Sequence, residues 1–60
     1  MIVLYSNVVK MFIVDDTSTY QYCTSILSAT RFHTINQASN YILDNNIEHN
    51  GLYFLEILTT

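Results

Sequence analysis

Few side chains in this sequence are of a type that does chemistry, and they are thinly spread. Asp15 and Asp16 close a hydrophobic run, MFIVDD. An acidic pair at the end of a strand can hold a divalent cation in a phospho-acceptor pocket. Hard cations take roughly six to eight oxygen ligands, however, and two neighbouring carboxylates supply too few. Such a pocket also needs a third aspartate at the end of a later strand, with a lysine and a hydroxyl residue close by. Here Lys10 precedes the pair, and no later strand-like run ends in aspartate. Asp15 and Asp16 therefore read as the end of a strand and the start of a turn.

The other reactive types fare no better. Cys23 with His33 or His49 would supply a nucleophile and a base by residue identity alone. Cys23 falls in the middle of a strand-like stretch, where thiols usually pack. His33 and His49 sit in polar connections and read as solvated loop residues. There is no C-x-x-C or H-x-x-x-H spacing to build a tetrahedral metal site, and a single glycine, Gly51, cannot make a phosphate-cradling loop. The expectation is a chain that is not an enzyme, with no catalytic residues, no metal ligands and no cofactor.

Sixty residues make one domain, spanning 1–60. A chain this short buries only about 60% of the surface its unfolded form exposes. Its lone cysteine excludes an internal disulfide, which suits a reducing, cytoplasmic setting (the host cytoplasm, were the chain viral). Apolar residues make up 50% of the chain and charged residues 12%, the reverse of a disordered composition. No apolar run approaches the roughly 18 residues of a membrane helix, and the start has neither a basic leader nor a small-residue cleavage site. Lys10 and Arg31 are the only basic side chains against five acids, for a net charge of −3. Two cations cannot neutralise a run of phosphates, so neither nucleic acid nor membrane is an expected partner.

Secondary structure follows from patterning. Residues 8–14 are β-branched and aromatic enough for a strand, and residues 19–27 for a second, joined by the turn formers Asp15-Asp16-Thr17-Ser18. Residues 2–5 form either a separate short strand or an extension of the first across a bulge. Thr34 and Gln37 make a T-x-x-Q capping box, with the threonine hydroxyl accepting from the Gln37 amide and the glutamine side chain returning the bond. Ile35, Ala38, Tyr41 and Ile42 follow at helical spacing. Asn45-Asn46 end the helix, Ile47 anchors the connection and Gly51 lets it turn into a last strand, residues 52–58. The fold expected is α+β: a small antiparallel sheet with one helix on one face, in the order β-β-α-β, with room for an extra N-terminal strand.

One helix can cover only one face of such a sheet. In the last strand, Tyr53, Leu55 and Ile57 alternate with Leu52, Phe54 and Leu58. The pattern leaves the second set, with Phe12 and Tyr22, as the uncovered apolar face, and patches of that kind mark interfaces. Phe12, Tyr22, Leu52, Phe54 and Leu58 are thus the expected protein-contact residues. A one-residue slip of register would exchange the two faces. For each of the five tyrosines taken alone, ordinary core or edge packing is expected ahead of a role as an interface anchor.

The length, the β-β-α-β order and the half of the chain at 34–58 resemble small early proteins of tailed phages. Among these are antitoxins and inhibitors that occupy a host toxin, nuclease or polymerase. The resemblance is one of outline, with no shared motif and no functional residue carried over. It implies a non-enzymatic inhibitor or modulator that binds a larger protein, and an acidic surface would speed encounter with a basic enzyme. The alternative is a self-assembling structural subunit or obligate homodimer.

Overall fold

The computed structural model describes residues 1–17 and 19–58; Ser18, the last residue of the expected turn, lies outside them. Four strands and one helix follow one another as β1 (Ile2–Ser6), β2 (Met11–Asp16), β3 (Thr19–Cys23), α1 (Ile35–Asp44) and β4 (Leu52–Glu56). The strands form one antiparallel sheet in the order β3-β2-β1-β4, with α1 packed against it. The fold is α+β, as the pattern predicts. The N-terminal strand is separate, and it occupies the interior of the sheet.

Three strands differ in extent from the expectation, the last of them ending at Glu56 where 52–58 was expected. The first half of 8–14 is turn: Ser6 pairs with Met11, and Lys10 closes the intervening loop at φ 61°. The Val9 amide donates to the Ser6 hydroxyl at 3.4 Å and the Lys10 ammonium to the Asn7 side chain at 3.0 Å. These local bonds hold Val8 and Val9 out of the ladder despite their β propensity. The second strand stops at Cys23, because residues 24–29 coil into turns in which the Leu27 amide donates to the Ser25 hydroxyl at 3.2 Å. Asp16 pairs with Thr19, so the β2–β3 hairpin is tight and begins where the acidic pair ends.

β1 and β2 pair only at Tyr5–Phe12 and Ser6–Met11. Beyond that point they diverge, and the chain at residues 30–32 fills the gap. Ile2 and Phe32 exchange both backbone bonds, at 2.7 and 2.8 Å. The Thr30 amide donates to the Ile13 carbonyl at 3.2 Å, and the Thr30 hydroxyl accepts from the Asp15 amide at 2.6 Å. The returning segment thus satisfies backbone groups that β1 and β2 would otherwise have satisfied for each other.

The core lies between the sheet and α1. Ile2, Leu4 and Ile13 from the sheet meet Phe32, Ala38, Ile42 and Ile47, with Tyr20, Tyr41 and Leu52 packed around them. Leu4 and Ile13 are fully buried, each contributing about 1.5–3 kcal/mol relative to an exposed side chain. Ile35, expected on the apolar face of the helix, is exposed instead.

Both ends of α1 are closed by local chemistry. The Thr34 hydroxyl accepts from the Gln37 amide at 3.1 Å, as the capping box requires. The return bond runs one residue earlier than expected, with the His33 amide donating to Gln37 Oε1 at 2.9 Å. At the far end Asn46 takes φ 52°, the Asn46 amide donates to Leu43 and the Ile47 amide to Ile42. This is the double-bonded Schellman closure, and Ile47 is buried in the core beside Ile42 as its apolar partner.

Gly51 stands at φ 76°, with its carbonyl accepting from the Asn7 amide at 2.7 Å. A Cβ there would lie 3.0 Å from a Val8 methyl group. That methyl belongs to an exposed side chain and can move, so the dihedral dominates. Gly51→Ala is expected to cost about 1 kcal/mol, measured as a lower urea midpoint with an unchanged slope.

Candidate functional site

Side-chain alternation along paired strands sorts the sheet into two faces. Ile2, Leu4 and Ile13 meet the helix, so residues paired with them share that side. Tyr22 pairs with Ile13, Phe54 with Leu4, and Leu52 with Ser6. Tyr22, Leu52 and Phe54 therefore lie on the helix-bearing face, near the two edges of the sheet where the short helix does not reach. Phe12 pairs with Tyr5 and Cys23 and lies on the opposite, helix-free face. Leu58 follows the end of β4 and is 98% exposed. The five expected contact residues are thus divided: Phe12 is on one face, three are on the other, and Leu58 is beyond the strand.

The helix-free face collects a different set. Tyr5 pairs with both Phe12 and Tyr53, and Val3 pairs with Leu55. Tyr5 and Phe12 touch edge to face with ring centroids 5.0 Å apart, a favoured aromatic geometry. Tyr53 is 52% exposed and Leu55 37% exposed. Val3, on the same face, is fully buried and belongs to no part of the helix-side cluster. An aromatic and aliphatic stripe from β2 through β1 to β4 is the principal candidate surface. Tyr5, Tyr53 and Leu55 were missed because the alternation of β4 alone does not say which set the helix covers. The available signal was Ile2-x-Leu4, whose spacing matches one face of the adjacent strand.

A second cluster joins the hairpin to the helix. The Tyr41 hydroxyl donates to Asp15 Oδ1 at 3.1 Å, with the Thr19 carbonyl an alternative acceptor at 3.4 Å. Tyr41 also packs on Phe32, with ring centroids 5.3 Å apart. Burial pushes the Tyr41 phenol up to about 12; its bond to Asp15 and the charges of Asp15 and Asp16 add to the rise. Tyr22 is also pushed up, by burial first and then by neighbouring Tyr20. Asp15 thereby acts as an acceptor for a structural phenol, and its backbone amide is tied to Thr30.

The reactive types stay apart. The Cys23 thiol donates to the Ser25 carbonyl at 3.4 Å, the His33 amide serves the helix cap and the His49 carbonyl accepts from Leu52 at 3.1 Å. Among the described residues, no three of His, Cys, Asp and Glu converge as a metal site. An open depression of about 310 Å³ lies at the end of α1, lined by Ile42, Leu43, Asn46, Ile47, Glu48 and His49. One Glu48 oxygen there already accepts from the Asn50 amide at 3.1 Å. Among the described residues, no helix is long and apolar enough to cross a membrane. No protein-family model, curated protein or solved structure matches this chain.

Tyr41 generates a signed pH prediction. A phenol whose folded pKa, about 12, lies above its unfolded value contributes stability that is fully present below the unfolded value. That stability is lost as the pH rises from about 10, the ordinary tyrosine value, toward the folded one. Tyr41→Phe should cost about 1 kcal/mol at neutral pH, as expected for one exchanged hydrogen bond. Its deficit relative to wild type should shrink through the alkaline range, read from urea unfolding at successive pH values. A deficit that stayed constant up to about pH 12 would contradict the role given to the phenol.

Proposed function

We propose that this chain is a non-enzymatic protein-binding module that presents the helix-free face of its sheet to a larger protein. The observation that carries the reading is the gathering of Tyr5, Phe12, Tyr53 and Leu55 on a face without a helix, with Tyr53 and Leu55 substantially exposed. Aromatic side chains offer large contact area at small entropic cost and are enriched among the energetic anchors of interfaces. The net charge of −3 favours a basic partner surface, because complementary fields accelerate encounter. Inhibition or modulation of a host factor is the role implied by the outline resemblance to small early phage proteins. A toxin, nuclease or polymerase, each of which must attract nucleic acid or ribosome, would carry the required positive surface.

The test begins with affinity capture from the native cell and identification of any stoichiometric larger protein. The purified partner is then titrated against single variants. Tyr53→Asp should weaken binding by at least about tenfold while the far-ultraviolet circular dichroism stays that of wild type. Leu58→Asp, off the stripe, should bind as wild type does. Equal affinity for wild type and Tyr53→Asp would reject the helix-free face as the contact, as would a loss confined to Leu58→Asp.

A further inference from the structure

The last strand has the composition of one kind of strand and the position of another. LYFLEIL, β4 with the two residues that follow it, is apolar on both alternating sets, with Glu56 its single charge. Near-continuous apolar runs of this sort belong to strands with neighbours on both sides and cover on both faces. Yet β4 is the sheet edge, and four of its five residues are exposed. Within Leu52–Glu56 its edge protection is a single charge, Glu56, with no lysine, no proline and a regular ladder to β1. The opposite edge, β3, differs, since its helix-free side carries the polar Thr19 and Gln21 beside Cys23, with the Gln21 side-chain amide donating to Asp16 at 3.4 Å.

The backbone of β4 says which groups remain open. The Ile57 amide donates to Met1 at 2.9 Å and the Gly51 carbonyl accepts from Asn7 at 2.7 Å, so odd-numbered residues turn their polar groups toward β1. By the alternation of an antiparallel ladder, Phe54 and Glu56 point theirs away from the sheet. We propose that this edge is completed by a second copy of the chain, β4 against β4 in antiparallel register about a twofold axis at Leu55.

Self-pairing is favoured by the symmetry of the segment. Leu55 meets its own copy on the axis, Tyr53 meets Ile57 of the other copy and Leu52 meets Leu58, so these residues find apolar partners. Phe54 meets Glu56, and the two pairs exchange backbone bonds through the outward groups. The only charge of the segment never faces its own copy. The product is one sheet running through both molecules, with their helix-free stripes joined side by side. Isologous contacts of this kind close on themselves and do not propagate.

The experiment uses the whole chain. Light scattering over a dilution series should give twice 7.0 kDa at high concentration and 7.0 kDa at low. Amide exchange should show Phe54 and Glu56 protected in the dimer and open after dilution, while Leu55 stays protected in both. Glu56→Pro removes an outward N–H and none that bonds β1, a placement that edge strands tolerate. It should raise the dimer dissociation constant at least about tenfold. A monomer at every concentration overturns the proposal, as does a dimer whose Phe54 and Glu56 amides exchange freely. A folded Glu56→Pro dimer of unchanged affinity also overturns it; should that variant not fold, the exchange pattern of the wild type decides. Titrating the heterologous partner against the Glu56→Pro monomer keeps this outcome separate from that of the helix-free face.

Discussion

The paired backbone bonds between Ile2 and Phe32 set where everything else can lie. β1 and β2 begin as an ordinary hairpin and then part, and the chain returning from β3 is inserted between them. Without that insertion the groups of Ile2, Ile13 and Asp15 that face the gap would need water inside a small core. With it, Phe32 delivers the chain to Thr34 directly beside Ile2. The helix therefore starts over β1 and drops Ala38 and Ile42 onto Leu4 and Ile13. The hydrogen-bond accounting of one gap thus places the start of the helix beside β1.

The remaining features follow from having one ten-residue helix over four strands. α1 is long enough to shield the middle of one face and too short to shield its edges. Tyr22 and Phe54 share the helix-bearing face yet are each 41% exposed. Val3, on the opposite face, is fully buried although it is not part of the helix-side cluster. On the helix side Tyr41 ties α1 to the hairpin through Asp15 and covers Phe32.

What could be read from the sequence is what local chemistry decides. The helix ends were legible because Thr34, Gln37, Asn45 and Asn46 act on backbone groups within a few residues, and the structure uses all four at the ends of α1. The tight hairpin after Asp16 was legible for the same reason. Strand limits were not. Val8 and Val9 have strand propensity, but the loop closed by Lys10 outweighs it. Residues 24–27 look apolar enough to extend a strand, yet they coil on Ser25. The division of Phe12 from Tyr22 follows from the β2–β3 register, which pairs Phe12 with Cys23 and Ile13 with Tyr22. Its division from Leu52 and Phe54 follows from the pairing of β1 with β2 and with β4, strands far apart in the chain, for which no short motif exists.

The helix-side core and the proposed contact surface thereby fall on different residues, and that separation constrains how the molecule can evolve. The core depends on Ile2, Leu4, Ile13 and the buried side of α1, with little to spare in a domain of this size. Tyr53 and Leu55 project from the other side of β4, while their odd-numbered backbone groups hold β4 to β1. A substitution on the helix-free stripe alters what the surface can bind and leaves the ladder intact, because side-chain direction and hydrogen-bond direction are independent along a strand. β4 is where the two roles come closest. Its even-numbered side chains face the helix side, where Leu52 packs on the core, while its even-numbered backbone groups face outward. Leu52 is consequently held to an apolar residue by the interior even though it stands at an open edge. That conflict limits how far β4 can be blunted by charge in the way small proteins usually protect an exposed strand, and Glu56 at its end is its one charge.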